Sequence, residues 1–334
     1  MIVPGPRNLI TDLDGLSVGS AEDRGLRSGV TVLLPDRPMA MAVDVRGGGP
    51  GTRDTEALAA DTLVKGFHGV VLSGGSVFGL AAADGVTGWL SARGVGLALG
   101  PRAVPVVPSA ILFDLANGGD KGWGEANPYP ALGRAACEAA GTDFALGNAG
   151  AGLGAKAGSL KGGLGSASAF AEDGLQVGAL VAANPFGEVV IPGTAAFWSW
   201  PLELAGELGG RRPPETLPRP LASGFPAGPP TLSNTTIAVV ATNLALDKAQ
   251  AKRLAMMAQD GIARAVRPAH TPFDGDTVFA LSTGALERPV EPLVLARAGA
   301  MAADCLARAI ARAVYEARTL GDKPGYRDLF PDPA

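Results

Sequence analysis

The sequence predicts a layered α/β sandwich. Continuous apolar runs of strand length recur along the chain, and long Ala-rich segments with helical periodicity lie between and after them. The two patterns do not alternate as regularly as a β/α barrel requires, which favours stacked layers over a barrel. Hydrophobic residues make up 47% of the 334 residues and aromatic residues only 5%. The core is therefore expected to consist mainly of Ala, Val, Leu and Gly, so that its elements pack closely.

The first half of the chain is predicted to form strands ended by turns, followed by a helix. These elements are strands at 31–35, 39–47 and 69–75 and a helix at 76–94. The segment GGGPGTRDTEAL is expected to be a glycine loop that opens another helix, because Asp54 and Glu56 would lie in its first turn. Residues 101–135 are rich in Pro and Gly and are expected to be irregular.

The second half contains the longest periodic segments. We predict a buried strand at 177–184, a strand from 234 onward, an amphipathic helix at 247–267, a strand at 277–284 and a helix from about 293 to 317. Residues 201–232 hold too many prolines for a helix or a central strand, so an exposed loop is expected there. Cys137 and Cys305 lie far apart in Ala-rich helical patterns, which favours two buried thiols over a disulfide.

The charge balance argues against several classes of partner. The formal net charge is −4 and the pI is about 5.3, so no general affinity for nucleic acid or for an anionic membrane is expected. The chain does not begin with a positively charged segment followed by an apolar run, and no apolar stretch reaches the roughly 20 residues that span a bilayer. A cytoplasmic location is predicted.

Two histidines and two remote cysteines limit the available chemistry. A Ser-His-Asp enzyme needs His68 or His270 as its base, and a protein zinc site needs more His or Cys ligands. We therefore expect no metal and no other cofactor. The glycine-rich segments GGGPG and GAGAGLGAKAG do not match a phosphate-binding loop. Such segments also allow a backbone to approach a substrate, or to donate its N–H groups to an oxyanion.

The junction between Asn234 and Thr235, where a strand begins just after the Pro-rich loop, has two interpretations. Asn favours turns and Thr favours strands, so a plain turn is the first. In the second, the Thr235 hydroxyl attacks the preceding carbonyl, and hydrolysis of the resulting ester frees a chain that starts at Thr235. An N-terminal Thr uses its own α-amine as the base, which needs no histidine.

The segment FDGDT at 273–277 is a second candidate for the site. Asp274 and Asp276 flank a glycine just before a strand, a pattern that is also typical of an Asp-Gly turn with exposed carboxylates. A calcium-binding EF-hand loop is disfavoured because the further acidic ligands do not follow. As part of a site, the two aspartates would orient Thr235 and hold its ammonium group or a neighbouring lysine.

Five segments in this order resemble one family: RGGGPGTRDT, VVLSGGSVFGLAAADGV, KGGLGSAS, NTTIAVVATN and FDGDTVFALST. It is the self-processing aminopeptidase and amidohydrolase family of the L-aminopeptidase/D-amidase-esterase DmpA, the β-peptidyl aminopeptidases and the endo-type nylon-oligomer hydrolase. The resemblance covers nearly the whole chain. It implies a four-layer αββα sandwich that resembles the N-terminal nucleophile hydrolases with a different connectivity. It also implies cleavage before a Ser or Thr into two chains that stay together.

The resemblance implies a role for particular residues. Thr235 takes the nucleophile position, and Asp274 and Asp276 take those of the acidic pair. Asn184 takes the position of a site asparagine that could donate to an oxyanion, and the site lysine is Lys156 or, as the alternative, Lys161. The family's site tyrosine is replaced by Phe113, which cannot donate a hydrogen bond.

The predicted molecule is thus a single domain, 1–334, cut into an α chain, 1–234, and a β chain, 235–334. It would be a cofactor-free hydrolase of amide bonds, with Thr235 as nucleophile, acting on small peptide-like substrates and assembled as a homo-oligomer, a tetramer or larger. Two alternatives remain: an unprocessed, inactive homologue that only binds ligands, and an endo-type oligoamide hydrolase.

Overall fold

The computed structural model describes residues 1–217 and 234–331. The predicted Pro-rich loop at 201–232 lies outside the described residues from 218 onward. The strands are β1 Ile2–Val3, β2 Leu16–Asp23, β3 Ser28–Pro35, β4 Ala40–Val45, β5 Thr52–Arg53, β6 Val70–Ser73, β7 Ser109–Ile111, β8 Lys156–Ala157, β9 Leu160–Lys161, β10 Gly163–Ala171, β11 Gln176–Asn184, β12 Thr235–Leu244 and β13 Thr277–Leu286. The helices are α1 Ala82–Ser91, α2 Tyr129–Glu138, α3 Lys248–Ala265, α4 Pro292–Glu316 and α5 Tyr326–Leu329.

The longer strands form two mixed sheets. The first has six strands in the order β1-β10-β11-β12-β13-β4, and the second has five in the order β2-β3-β6-β7-β5. Pairing is antiparallel except between β12 and β13 and between β6 and β7. Strands β12 and β13 thus lie side by side within the larger sheet, with β11 on one side and the edge strand β4 on the other.

Four layers result from the way these sheets bury their faces. Between the sheets lies a core to which both contribute, for example through Leu33 and Ile237. The outer face of the larger sheet packs against α3 and α4, where Leu254 is fully buried, and the outer face of the smaller sheet packs against α1 and α2, where Val86 is fully buried. The predicted αββα sandwich is confirmed.

Helix α3 shows how the sequence specifies one of these outer layers. Asp247 caps it by accepting the N–H of Gln250 over 2.8 Å, and the side chain of Gln250 reaches back to the N–H of Asp247. A Cβ on Gly261 would lie 2.3 Å from the carbonyl oxygen of Ala303 in α4. Glycine at this position therefore lets α3 and α4 approach each other closely over the sheet.

Two expectations for the first half of the chain were wrong. Strand β7 and the start of α2 lie within 101–135, which was expected to be irregular. The segment expected to open a helix forms the short strand β5 and a single 3₁₀ turn, Glu56–Leu58, with Asp54 in a left-handed conformation at φ 57°. The helix predicted at 76–94 is present, as a 3₁₀ helix at Ser76–Ala81 that continues into α1. Cys137 and Cys305 are buried free thiols, as predicted.

Candidate active site

Thr235 is the first residue of β12, in the middle of the larger sheet. Side chains alternate between the two faces of a strand, and Ile237 and Val239 point into the core between the sheets. Thr235 therefore projects from the same face, at the end of that core, and it is only 4% exposed. Its hydroxyl donates a hydrogen bond to the carbonyl oxygen of Asn234. The hydroxyl of Thr235 thus lies against the peptide group that the predicted self-cleavage would break.

The carbonyl oxygen of Asn234 has a second donor. The N–H of Gly275 lies 3.1 Å from it, because the segment around Asp274 runs parallel to Asn234 and extends the pairing of β12 with β13. A backbone N–H held by a sheet is a fixed dipole that stabilises negative charge developing on that oxygen. The sequence pattern identified the two aspartates but not the N–H between them.

Only glycine fits at position 275. A Cβ there would lie 2.8 Å from Thr235 Oγ1 and 2.7 Å from the carbonyl oxygen of Gly49. Gly49 also donates its own N–H to the carbonyl oxygen of Asp274 over 2.8 Å. The first glycine-rich segment of the chain therefore packs against residues 274–276, called the DGD turn below, and against the hydroxyl of Thr235. The glycines of the segment permit that close approach.

Asn184 is the last residue of β11 and pairs directly with Thr235. The two side chains share one face of the sheet, and Asn184 is fully buried. Its Oδ1 accepts the backbone N–H of Lys156 over 2.9 Å, and its Nδ2 donates to the carbonyl oxygen of Phe113 over 3.3 Å. These contacts orient the carboxamide with its donor group toward the cleft described below.

The two candidate lysines occupy different environments. Lys156 is half-buried and lines the cleft. Burial lowers the pKa of its ammonium group, and repulsion from Lys323 lowers it further, while Asp322 opposes the shift. A lysine with a lowered pKa, next to Asn184, is suited to exchange protons with reacting groups.

Lys161 is buried in the floor of the cleft and only 1% exposed. Its Nζ donates to the carbonyl oxygens of Gly152 over 2.9 Å and Gly162 over 2.7 Å. Burial lowers its pKa to about 7, although the carboxylate of Asp114 opposes the shift. A neutral amine has two hydrogens, which matches the two carbonyl acceptors.

Asp274 binds Phe186 and Thr271 rather than Thr235. Its Oδ1 accepts the N–H of Phe186 over 2.9 Å, and its Oδ2 accepts both the N–H and the hydroxyl of Thr271, over 3.1 and 2.6 Å. Burial raises its pKa, and the neighbouring carboxylate of Asp276 raises it further. Asp274 therefore joins the turn before β13 to the segment after β11.

Asp276 is also buried, at 1% exposure, so the expectation of an exposed carboxylate in a plain turn was wrong. Its Oδ1 accepts the N–H of Thr236 over 2.8 Å. Its Oδ2 accepts the N–H of His270 over 3.2 Å and lies 2.8 Å from Nδ1 of the same residue. Asp276 thus holds Thr236, the residue after Thr235, and His270 joins the candidate site, which no pattern in the sequence indicated.

A cleft of about 390 Å³ opens next to Asn184. Its wall includes Phe113, at the position predicted to replace a tyrosine. Asp114, only 3% exposed, lies in its floor and accepts hydrogen bonds from Ser28 Oγ over 2.6 Å and from the N–H of Gly75 over 2.7 Å. Burial raises the pKa of Asp114. The other charged residues that line the cleft are Lys156, Lys161, Asp322 and Lys323.

Among residues 1–217 and 234–331, no group of three or more His, Cys, Asp or Glu side chains is arranged to hold a metal ion. Over the same residues, each helix is too short or too polar to cross a membrane.

Comparison with known proteins places this geometry in context. The profile of Peptidase family S58 matches residues 8–327. An uncharacterized aminopeptidase of Mycobacterium tuberculosis (strain ATCC 25618 / H37Rv) is 45% identical over 344 residues, covering 97% of this chain and 98% of the relative. The 6-aminohexanoate-oligomer endohydrolase of Kocuria sp. (strain KY2) is 31% identical, covering 86% of this chain and 78% of the relative.

Solved structures share the fold over almost the whole chain. A β-aminopeptidase of Burkholderia sp. superposes with a TM-score of 0.71 at 24% identity, covering 99% of this chain and 94% of that one. The L-aminopeptidase D-Ala-esterase/amidase from Ochrobactrum anthropi superposes with a TM-score of 0.68 at 25% identity, covering 96% and 90%. The latter structure is described as a new variant of the N-terminal nucleophile hydrolase fold.

Proposed function

The chain belongs to Peptidase family S58, and from this membership we propose that it cuts itself between Asn234 and Thr235 and then uses Thr235 as the nucleophile. That it is a hydrolase of amide bonds follows from the family and from its aminopeptidase-named relatives. The observation that supports self-cleavage and the role of Thr235 is the contact between the Thr235 hydroxyl and the Asn234 carbonyl oxygen. On this basis, the single domain 1–334 matures into an α chain, 1–234, and a β chain, 235–334.

Self-cleavage would proceed by an N-to-O acyl shift. Thr235 Oγ1 attacks the carbonyl carbon of Asn234 and forms a C–O bond, the C–N bond breaks, and the hydroxyl proton passes to the departing nitrogen. Negative charge on the Asn234 oxygen is stabilised by the N–H of Gly275. Water then hydrolyses the ester, which leaves a carboxylate on Asn234 and a free amine on Thr235.

The same groups would serve turnover. Once Asn234 has left, the N–H of Gly275 is available to the carbonyl oxygen of a substrate, with the Asn184 carboxamide as a second donor. The reference pKa of an α-amine is about 8, so the amine of Thr235 is suited to take the proton of its own hydroxyl. The substrate's amine leaves, and water hydrolyses the acyl ester on Thr235.

We assign the site lysine to Lys156. It lines the cleft, and its backbone N–H holds the carboxamide of Asn184. Lys161, by contrast, is buried with its amine on two carbonyl oxygens. In this proposal Lys156 tunes the protonation of the Thr235 amine, while Asp276 holds the peptide unit that follows it.

We propose small peptide-like amides as substrates, a cytoplasmic location and a homo-oligomeric state of four subunits or more. The names of similar proteins define a test panel: L-alanine, D-alanine and β-alanine p-nitroanilides and a linear oligomer of 6-aminohexanoate. Cleavage of the 6-aminohexanoate oligomer at internal amide bonds would favour the endo-type alternative. Light scattering that gives the mass of one 33.5 kDa subunit would reject the homo-oligomeric state.

Intact-mass measurement of the purified protein, followed by N-terminal sequencing, tests the central proposal. We expect two fragments, 1–234 and 235–334, with the second starting at Thr235, and hydrolysis of at least one member of the panel. A single uncut chain that hydrolyses amides would overturn the mechanism. A single uncut chain that hydrolyses nothing but binds panel compounds would support the ligand-binding alternative.

A further inference from the structure

The carboxylate of Asp276 is shared between the nucleophile strand and a histidine. One oxygen holds the N–H of Thr236 at 2.8 Å, and the other faces both the N–H and Nδ1 of His270, at 3.2 and 2.8 Å. With a proton on Nδ1, the ring of His270 donates a second hydrogen bond to the oxygen that already accepts the N–H of the same residue. The side chain of Asp276 is almost fully buried, whereas that of His270 is 21% exposed.

The backbone of His270 is built for this contact. Its φ is 54°, in the left-handed region that residues with a side chain seldom adopt. This conformation brings the residue's own N–H and its ring to the same oxygen of Asp276. This strained conformation occurs in the loop that leads directly into the DGD turn. None of the roles assigned above accounts for it.

We propose that His270 is a positioning residue for Thr235, acting through Asp276 and Thr236. This inference rests on the proposed function, because it concerns the placement of the proposed nucleophile. Before the cut, Thr235 is held from both sides by the chain. After the cut it is attached only through Thr236, so the hydrogen bond from Thr236 to Asp276 fixes the first peptide unit of the new chain.

His270 determines how firmly Asp276 is held. The two nearest donors to Asp276 are the N–H of Thr236 and Nδ1 of His270, on opposite oxygens, and together they fix the rotation of the carboxylate. Without the ring, Oδ2 keeps only the N–H at 3.2 Å. The carboxylate then turns more freely, and Thr236 and Thr235 shift with it. Misplacement of a reacting group by about 1 Å is enough to slow a reaction by about 100-fold.

Two substitutions separate positioning from a purely structural role. His270→Gly removes the ring and adopts a positive φ without strain. His270→Asn also tolerates a positive φ, and its Nδ2 lies close to the place of Nδ1, so it restores the donor to Asp276. Both variants keep the backbone N–H that binds Oδ2.

The experiment measures the rate of self-cleavage by intact mass, and then kcat and KM of the cleaved protein on the panel substrate that the wild type hydrolyses fastest. We expect His270→Gly to lower kcat and the cleavage rate at least tenfold with KM within about threefold, because positioning acts on the reaction rather than on binding. His270→Asn should recover most of that loss, and added imidazole should partly restore the glycine variant.

A wild-type kcat in folded His270→Gly, or a loss in His270→Asn as large as in His270→Gly, would overturn the inference. If the glycine variant does not fold, His270→Ala replaces it as the variant without a donor: a kcat at least fivefold higher in His270→Asn than in His270→Ala supports positioning through the donor, and equal values reject it. Failure of the proposed function has a different signature, since wild-type protein would then remain uncut or a Thr235→Ala variant would stay active.

Discussion

Gly275 donates its N–H to the carbonyl oxygen of Asn234 over 3.1 Å, and a Cβ on Gly275 would lie 2.8 Å from the hydroxyl oxygen of Thr235. One residue without a side chain thus supplies a donor to the peptide oxygen and leaves room for the hydroxyl that would attack it. This arrangement depends on the parallel pairing of the DGD turn with the start of β12.

Substitution of Gly275 by Ala is expected to slow self-cleavage by about 100-fold, because the new methyl group displaces Thr235 Oγ1 or the carbonyl of Gly49. Overpacking should also lower the free energy of unfolding by about 1–3 kcal/mol. A time course of intact mass after rapid purification measures the first effect and thermal denaturation the second. The companion variant Gly284→Ala, at a positive φ where a Cβ would meet only Ala245 at an ordinary contact distance of 3.8 Å, controls for loss of stability alone. Equal cleavage rates in the two variants would contradict the role of Gly275.

Thr235→Ala should abolish both self-cleavage and hydrolysis and leave the fold intact, since the variant lacks only a hydroxyl and a methyl group. Thr235→Ser should still cut itself, because it retains the hydroxyl. Denaturing electrophoresis and hydrolysis of the p-nitroanilide panel give the answer. Normal hydrolysis by the alanine variant would mean that another residue is the nucleophile.

Asp276→Asn should impair turnover and also stability. Its amide would place two hydrogens opposite either the N–H of Thr236 or the N–H of His270, and both of these are donors. The mismatch is expected to cost about 1–3 kcal/mol of unfolding free energy, and kcat should fall at least tenfold in the cleaved fraction. Urea denaturation and steady-state kinetics would measure the two effects; an unchanged kcat in cleaved protein would reduce Asp276 to a purely structural residue.

Lys161 should make stability depend on pH in alkaline solution. Its folded-state pKa is lowered to about 7 from the 10.5 of a free side chain, so between these values the unfolded chain binds a proton that the folded chain has released. Stability therefore rises with pH across this window, by at most about 1.4 kcal/mol per unit for one proton. Lys161→Met should lose this slope when urea denaturation is repeated from pH 7 to 10. An identical slope in both proteins would show that Lys161 stays charged.

Lys156→Met should lower the rates of self-cleavage and hydrolysis by at least about tenfold, as expected for a group that takes part in proton transfer. Lys323→Met, at the rim of the same cleft, is the matched control because it removes one nearby positive charge without touching Asn184. Circular dichroism first shows that each variant is folded. Steady-state kinetics then compares the kcat values of the two variants. A greater loss in the Lys323 variant would move the site lysine away from Lys156.

The strands and helices with clean apolar periodicity were predictable, and β10 shows why others were not. Its glycines depress strand propensity, yet a Cβ on Gly165 would lie 2.0 Å from the carbonyl oxygen of Ala309 in α4. These glycines are there so that a helix can lie directly on the strand. That reason is invisible until the partner helix is placed, and no strand was predicted for this glycine-dense segment.

The candidate site was predictable only where a residue type carries its chemistry in its side chain. Asn184 and Thr235 lie 51 positions apart in the sequence but are direct partners across β11 and β12. The N–H of Gly275 has no side-chain signature at all. The contact of His270 with Asp276 depends on the positive φ of His270, and the residue type does not indicate that conformation.

The order of strands in the larger sheet has a consequence for the life of the molecule after cleavage. Strands β12 and β13 come from the proposed β chain, whereas their outer neighbours β11 and β4 come from the α chain. The β chain would contribute two adjacent strands that lie between strands of the α chain. Separation of the two chains would expose four strand edges and the cores on both faces of the sheet. The peptide bond between Asn234 and Thr235 would then be needed only until the sheet has assembled. Two separately synthesised halves would have no folded partner to receive them, so a gene divided at this point is expected to yield aggregates unless both halves fold together.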